Sequence, residues 1–260
     1  MTFENILTAR DGAAYVITLN RPKKRNAVSL QTMADIIAAM KEAEADEKIR
    51  AVILTGGTEF FSAGADLNDA IQVTSASKGI KYFNSWHHLN DTLEHLTKPI
   101  IAAIEGFCMT GGCELALACD IRVAGKGSTF AITSSKIGTV AGAGGTQRLP
   151  RVVGPAKALE IMFASDPIDA EEAYRIGLIN RLVEKGDAVN EAKRMIKVYE
   201  KRAPMSLALI KRSVHRGMQM DLASAIEFET FLVSTIYSTK DKHEGISAFL
   251  EKREAKFTGN

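Results

Sequence analysis

The sequence predicts an α/β protein in which buried parallel strands alternate with helices, followed by a region composed of helices. Residues 51–55 and 99–104 are short apolar runs without alternation, which is typical of strands buried on both faces of a sheet. Residues 30–40 carry apolar side chains at helical spacing and lie between two strand-like segments. Beyond residue 188 there is almost no strand pattern. Together, these observations indicate a parallel sheet with crossover helices.

The first 40 residues predict a hairpin followed by a helix. Residues 3–10 and 15–19 are the predicted arms, and Asp11 and Gly12 are typical turn residues between them. Ser29 is the predicted N-cap of the helix. The buried face of this helix consists of Leu30, Met33, Ile36, Ile37 and Met40. With the strand that follows, the segment forms a βαβ unit.

The pattern then repeats with shorter elements. We expect a helix over 78–97, a strand over 99–104, a short helix over 112–119, and strands at 121–124 and 130–132. The expected sheet therefore gains its strands one crossover at a time.

After Pro150 the helical pattern dominates. Pro155 begins one helix, and Asp169 with Glu172 forms a capping box at the start of another. The last four helices are predicted over 188–202, 206–217, 222–238 and 242–255. The chain is thus divided into a core over residues 1–190 and a helical region over residues 191–260.

The composition disfavours several classes of protein. The 260 residues include 33 Lys and Arg against 31 Asp and Glu, and this net charge of +2 gives no electrostatic basis for binding nucleic acid or a membrane surface. Cys108, Cys113 and Cys119 match no paired metal or redox spacing and are interpreted as small buried residues. The sequence contains no signal-peptide pattern and no run of 18 apolar residues, so we expect a cytoplasmic protein.

A pair of glycines before a predicted helix is the first candidate for a catalytic site. Gly111 and Gly112 lie where unpaired amide N–H groups point outward, an arrangement that suits a developing oxyanion. Glu114 lies within one turn of these amides, so its carboxylate is able to move a proton while they hold an enolate. The alternative is that the glycines permit close packing and that Glu114 caps the first turn.

Two further glycine-containing loops follow predicted elements. In residues 60–67 the N–H of Ala65 is a second candidate oxyanion donor, or the loop is an ordinary turn between strand and helix. Residues 142–148 lack the Gly-Lys-Ser/Thr of a Walker A motif and do not follow a clear strand. Nucleotide-phosphate binding at this third loop is therefore disfavoured.

Four ordered motifs carry a resemblance that spans nearly the whole chain. They lie at residues 61–67, 98–106, 111–120 and 142–150. In this order and spacing they resemble the enoyl-CoA hydratase/isomerase, or crotonase, family. The resemblance implies an acyl-CoA-binding α/β fold with a crotonase-type ββα spiral core and a C-terminal helical trimerisation region. It implies no metal and no cofactor, since CoA enters as part of the substrate.

The resemblance also implies roles for individual residues. The backbone N–H groups of Ala65 and Gly111 would hold the thioester carbonyl, and Glu114 matches the first catalytic glutamate of the hydratases. A CoA phosphate would lie near Lys24 or Arg25. The implied CoA-binding residues are Lys24, Arg25, Ala27, Ala63, Gly64, Ala65, Asp66 and Leu67.

The chain departs from the hydratase pattern at a second catalytic position. Hydratases of this family carry a second glutamate before the last glycine loop, and counting back from Gly138 aligns that glutamate with Ser134. Thr110 replaces the first glycine of the usual triplet, although the donor position at Gly111 is kept. The departure puts two-carboxylate hydration in doubt and leaves the binding site intact.

Several other polar residues have two interpretations. His87 and His88, beside Trp86, lie in a segment that shapes the acyl pocket in the family. Either one of them replaces the missing acid or base, or the pair is exposed on a helix surface. Asp66 and Asp120 are expected to be structural.

The resemblance leaves the reaction open among related activities. Hydration of a 2-enoyl-CoA is the main prediction, with isomerisation, racemisation or other enolate chemistry as the alternative because Ser134 stands for the second glutamate. A non-catalytic RNA-binding or scaffold member is disfavoured by the net charge of +2 and the acidic residues in 42–47.

The apolar residues beyond residue 190 are more than a small appendage can bury, which predicts an oligomer. The family resemblance implies that this oligomer is a homotrimer or homohexamer.

Overall fold

The computed structural model describes residues 3–260, which form nine strands and eleven α-helices. The strands are β1 (Ile6–Asp11), β2 (Ala14–Leu19), β3 (Ala51–Thr55), β4 (Ile100–Ile104), β5 (Phe107–Met109), β6 (Ile121–Gly125), β7 (Thr129–Ala131), β8 (Ile168–Asp169) and β9 (Arg181–Val183). The helices are α1 (Leu30–Ala45), α2 (Leu67–Ala70), α3 (Ala76–His95), α4 (Gly111–Leu117), α5 (Gly145–Val153), α6 (Pro155–Ala164), α7 (Ala170–Arg175), α8 (Ala188–Tyr199), α9 (Pro204–Gly217), α10 (Leu222–Ile236) and α11 (Lys240–Leu250).

The strands form two sheets that confirm the α/β prediction. Six strands lie in the order β1-β2-β3-β4-β6-β9, in which only the β1–β2 hairpin is antiparallel. The other sheet has the order β5-β7-β8, with β5 and β7 parallel. Because parallel neighbours require crossover connections, helices or long loops lie between the strands.

The N-terminal unit follows the sequence prediction closely, with one shift at the turn. Strand β1 continues through Asp11, which pairs with Ala14, so the turn is formed by Gly12 and Ala13. Gly12 has a φ of +59°, a conformation that glycine adopts without strain. The side chain of Ser29 accepts a hydrogen bond from the N–H of Thr32 and thereby begins α1 as predicted.

The core has apolar layers on both faces of the larger sheet. All five residues of β3 and of β4 are buried, which explains their unalternating apolar sequence. On one face, Ala192 and Ile196 of α8 pack in the same cluster as Ile53 and Ile101. Helix α8 spans the predicted boundary at residue 190.

Several short elements were not predicted. Strands β5, β8 and β9 have at most three residues, and helix α5 begins in a glycine-rich segment that was interpreted as a loop. Too few residues are present in these strands for a period to appear. The capping box is also incomplete: Asp169 accepts from the N–H of Glu172, whereas the Glu172 carboxylate pairs with Arg175.

The C-terminal helices expose much of their apolar surface. Helix α10 has no buried residue, and Phe231 is 66% exposed. Tyr237 and Phe249 are 63% and 83% exposed, so neither lies in the core of the single chain. Within residues 3–260, no helix has both the length and the apolar character needed to span a bilayer.

Candidate active site

The two predicted oxyanion donors lie side by side although they are 46 residues apart in sequence. A Cβ placed on Gly111 would lie 2.9 Å from the amide nitrogen of Ala65, and one on Gly64 would lie 3.2 Å from the amide nitrogen of Gly111. A backbone bridge between Val28 and Ala65 holds the first loop in place. Among residues 3–260, neither amide donates to another backbone carbonyl outside regular elements. Both donors are therefore available to a ligand.

Thr110, which precedes the second donor, has a strained backbone. Its φ of 37° and ψ of −104° lie outside the usual regions for a β-branched residue. The N–H of Thr110 donates to the carbonyl of Ala131 at 2.7 Å, and its hydroxyl accepts from the N–H of Thr133 at 3.0 Å. Such strain costs on the order of 1–3 kcal/mol. These contacts keep the conformation that sets the direction of the Gly111 N–H.

Glu114 lies on α4 with its carboxylate almost completely buried. It is 2% exposed, and its Oε1 accepts a hydrogen bond from the N–H of Gly145 at 2.8 Å. Burial raises the pKa of Glu114 to about 7, although the amides of Gly145 and Ala143 and the charge of Arg148 act in the opposite direction. The carboxylate binds the first residue of α5 instead of capping its own helix. A group with this pKa both accepts and releases a proton near neutral pH.

Ser134 is buried near the same site without a hydrogen-bond partner for its hydroxyl. It begins a 3₁₀ turn over Ser134–Ile137 and is 3% exposed. Within the described residues, its Oγ contacts no donor or acceptor at hydrogen-bond distance. Its neighbour Thr133 is bonded to Thr110, which brings this turn next to the Gly111 amide.

One face of α3 covers both glycine loops. The ring of Trp86 would lie 2.9 Å from a Cβ placed on Gly111, and the ring of Phe83 lies against Gly142. Asn90 donates from Nδ2 to the carbonyl of Ala143 at 2.7 Å. Phe83 and Asn90 were not predicted as site residues. Their spacing of seven residues, which places them on one helix face, was the available signal.

Comparison with known families identifies the chain. A family model for enoyl-CoA hydratase/isomerase matches residues 9–260. The chain belongs to the enoyl-CoA hydratase/isomerase family. This confirms the family that the sequence motifs indicated.

Relatives within the family match over almost their entire lengths. The chain is 38% identical to a short-chain-enoyl-CoA hydratase of Clostridium acetobutylicum, covering 98% of this chain and 97% of that protein. It is 36% identical to a crotonyl-CoA hydratase of Syntrophomonas wolfei, covering 99% of each. The crystal structure of an enoyl-CoA hydratase from Bacillus anthracis matches with a TM-score of 0.93 at 31% identity, covering 99% of this chain and 100% of that chain.

The two segments predicted to bind CoA run alongside each other in this family member. The N–H of Ala63 donates to the carbonyl of Arg25 at 2.9 Å, and the N–H of Val28 donates to the carbonyl of Gly64 at 2.8 Å. The side chains of Lys24 and Arg25 are exposed, as are those of Ala63 and Leu67, whereas Ala27 is half-buried. The exposed side chains are accessible to a ligand that lies across these two segments.

Asp66 supports the predicted CoA-binding loop from inside. It caps α2 by accepting from the N–H of Asn68 and forms an ion pair with Arg21 at 2.9 Å. Burial opposes ionisation of Asp66, but the hydrogen bonds from Asn68 and Arg21 outweigh it and lower its pKa. Arg21 was not predicted as a site residue, because its partner lies 45 residues further along the chain.

The two histidines are exposed, whereas Glu114 is buried. His87 and His88 are exposed on α3, as the surface interpretation predicts. His87 lines a cavity of about 690 Å³ between α3, α5 and α9, which Glu114 does not line. Among residues 3–260, no group of three or more His, Cys, Asp or Glu side chains is arranged to hold a metal ion.

Asp120 has a structural position, as expected. Its Oδ2 accepts from the N–H of Ile100 at 2.7 Å and pairs with Lys211 at 2.9 Å, and its Oδ1 bonds His215 at 2.9 Å. The aspartate thus joins α9 to the start of β4.

Proposed function

We propose that this protein hydrates the double bond of a 2-enoyl-CoA thioester. The observation that carries the proposal is the buried carboxylate of Glu114, with a pKa of about 7, on the helix that begins at the Gly111 amide. The Ala65 amide lies next to that of Gly111, so a carbonyl held by both would face the carboxylate's helix. The names of the relatives from Clostridium acetobutylicum and Syntrophomonas wolfei support the same reaction.

The mechanism needs one proton carrier and two fixed donors. Ala65 and Gly111 donate their N–H groups to the thioester oxygen, where negative charge develops. Glu114 removes a proton from water as the water oxygen bonds to Cβ and the double-bond electrons move toward the thioester oxygen. Glu114 then returns the proton to Cα, the thioester carbonyl re-forms, and the carboxylate is restored. The product is a 3-hydroxyacyl-CoA.

The absence of a second carboxylate at Ser134 favours a second candidate reaction. A positioned acid or base contributes about 10²–10⁴ in rate, so hydration with Glu114 alone is expected to be slower than with two carboxylates. Migration of a double bond and inversion at Cα need only a proton removed and returned beside an enolate. The same amides and the same carboxylate therefore suit isomerisation or racemisation.

Exposed side chains support proposals for where CoA binds and for how copies of the chain assemble. Lys24 and Arg25 are available for a CoA phosphate, and the exposed side chains of the 63–67 loop lie next to them. Exposed apolar residues on α10, including Phe231, favour burial against another copy of the chain. We propose a homotrimer or homohexamer, and sedimentation as a monomer at micromolar concentration would refute it.

A panel of CoA thioesters in D₂O separates the two reactions. We expect crotonyl-CoA to gain water at Cβ and deuterium at Cα. Absorbance measures the loss of the double bond, and mass spectrometry measures the deuterium. If deuterium exchanges into saturated or unsaturated thioesters without addition of water, the assigned reaction would be isomerisation or racemisation instead of hydration. Retention on nucleic acid alone, with a steep salt dependence, would overturn the enzyme assignment.

A further inference from the structure

Tyr82 on α3 has a buried hydroxyl whose proton has no acceptor. The residue is 9% exposed, and within the described residues its Oη is buried without a hydrogen-bond partner. The indole of Trp86, one turn further along α3, lies beside the phenol. An indole N–H only donates, so even this neighbour leaves the phenol proton unpaired.

Two neighbours of Tyr82 on α3 contact the glycine loops of the candidate site. Trp86 lies against Gly111, and Phe83, the next residue after Tyr82, lies against Gly142. The charges of Asp69, Asp66 and Glu114 are close enough to Tyr82 to act with its burial in raising the phenol pKa. Tyr82 is therefore a protonated hydrogen-bond donor at neutral pH, within electrostatic range of both Asp66 and Glu114.

An unpaired buried hydroxyl destabilises a protein, whereas phenylalanine would fill nearly the same space without that cost. The hydroxyl gains a partner only when something else enters the site. The thioester oxygen already has two donors in Ala65 and Gly111, so the acceptor for Tyr82 lies elsewhere on the substrate. Ser134 has another unpaired buried hydroxyl, and its neighbour Thr133 is bonded to Thr110 of the Gly111 loop.

We infer that Tyr82 is a specificity-determining residue that donates a hydrogen bond to an oxygen on the acyl chain beyond the reacting carbons. This inference rests on the proposed function and names its substrate class: hydroxy- or oxo-acyl thioesters in preference to hydrocarbon ones. The acyl oxygen is uncharged, because the negative charges of Asp69 and Glu114 act on the Tyr82 hydroxyl and disfavour a carboxylate there.

Matched substrate pairs test the inference, because a terminal hydroxyl replaces a methyl group of nearly equal size. The pairs are 4-hydroxy-2-butenoyl-CoA with 2-pentenoyl-CoA, and 5-hydroxy-2-pentenoyl-CoA with 2-hexenoyl-CoA. The wild-type protein is expected to favour one hydroxy member at least tenfold in kcat/KM. Tyr82→Phe should remove that preference and change kcat/KM for the hydrocarbon member less than twofold. Tyr174→Phe, at a 53% exposed tyrosine, is the matched control and should alter neither substrate.

The outcomes separate specificity from a structural role. Equal kcat/KM values for both members of each pair in the wild-type protein would overturn the inference, whatever Tyr82→Phe does. An equal loss on both members would assign Tyr82 to CoA binding or to folding and would also overturn it. The melting temperature of ligand-free Tyr82→Phe should be equal to or above that of wild type, and a lower value with unchanged preference would contradict the unpaired hydroxyl.

Failure of the proposed function has a different signature. If no enoyl-CoA is hydrated, binding of the saturated thioesters 4-hydroxybutanoyl-CoA and pentanoyl-CoA still tests Tyr82. Tighter binding of the hydroxy member, by about tenfold and lost in Tyr82→Phe, would support the specificity role without hydration. Equal binding of the two would overturn it.

Discussion

Glu114 and Gly145 join two helices through a single buried hydrogen bond. The N–H of Gly145, the first residue of α5, donates to Oε1 of Glu114 at 2.8 Å across 31 residues of sequence. The glycine has no side chain to displace the carboxylate, and its amide fixes one of the two oxygens. Helix α4 thus carries the proposed proton-transfer group, and α5 orients it.

Replacing Gly145 by alanine should reduce activity without unfolding the protein. The new Cβ would lie 2.9 Å from both Glu114 Oε1 and the Cβ of Ala141, so the carboxylate must move. Because displacement by about 1 Å costs on the order of 10² in rate, we expect kcat to fall about 10–100-fold. Steady-state hydration of crotonyl-CoA measures the change.

Gly79→Ala is the matched control for this substitution. A Cβ on residue 79 would contact only Cγ1 of Val73, at an ordinary 3.6 Å. Gly79 lies in α3, the helix that covers the glycine loops. We expect an unchanged rate. A Gly145→Ala variant as active as this control would show that the Glu114–Gly145 contact does not orient the carboxylate.

The activity should titrate with Glu114. Burial raises the pKa of this carboxyl to about 7, and the mechanism requires its ionised form to accept the proton from water. The value of kcat/KM should therefore fall about tenfold per pH unit below pH 7 and level off above it. A limb centred near pH 4.5, the ordinary value for a glutamate, would contradict the desolvated environment.

The same burial makes the contribution of Glu114 to stability less favourable as pH rises. Between about pH 4.5 and 7 the folded state keeps a proton on Glu114 that the unfolded chain has lost, so this group's contribution to the free energy of unfolding decreases with increasing pH. Glu114→Gln removes this contribution. At pH 8 the variant should be more stable than wild type by on the order of 3 kcal/mol at most, with no difference below pH 4. Urea unfolding at both pH values measures this, and a pH-independent difference would refute it.

Restoring a carboxylate at Ser134 should raise hydration modestly. The buried hydroxyl there has no partner, so a new side chain breaks no hydrogen bond of Oγ. We expect Ser134→Glu to add about tenfold, less than the usual 10²–10⁴, because the surrounding residues do not support a charge. Ser134→Gln controls for size. If a well-folded Ser134→Glu variant has an unchanged rate, residue 134 does not face the reacting carbons.

The sequence predicted the parts of the fold that have a clear period. Strands β3 and β4 and helix α1 are long enough for apolar runs or helical spacing to identify them. Strand β5 has only three residues. Helix α5 begins in a glycine-rich segment, and the N–H of its first residue, Gly145, donates to Glu114 on another helix. Contacts between distant segments decide such elements, so local patterns do not reveal them.

The same distinction applies to the site. Gly111 and Glu114 were recognised as candidates because an amide donor and a carboxylate occur together in one short segment, and the family resemblance supported Ala65; their roles stay predictions. Tyr82 was not recognised, since its burial depends on how α3 rotates over loops that precede and follow it in the chain. Equally, the lack of a partner for the Ser134 hydroxyl is a property of its three-dimensional surroundings.

The most direct test of the account is turnover by Glu114→Gln. The amide is nearly isosteric and keeps an oxygen for the Gly145 N–H, while the Ala65 and Gly111 donors are untouched. We expect hydration of crotonyl-CoA to fall by at least about 10², the usual loss for a general base. Affinity for butyryl-CoA, measured by calorimetry, should stay within a few-fold. A variant that keeps more than about a tenth of the wild-type rate would show that Glu114 does not carry the proton.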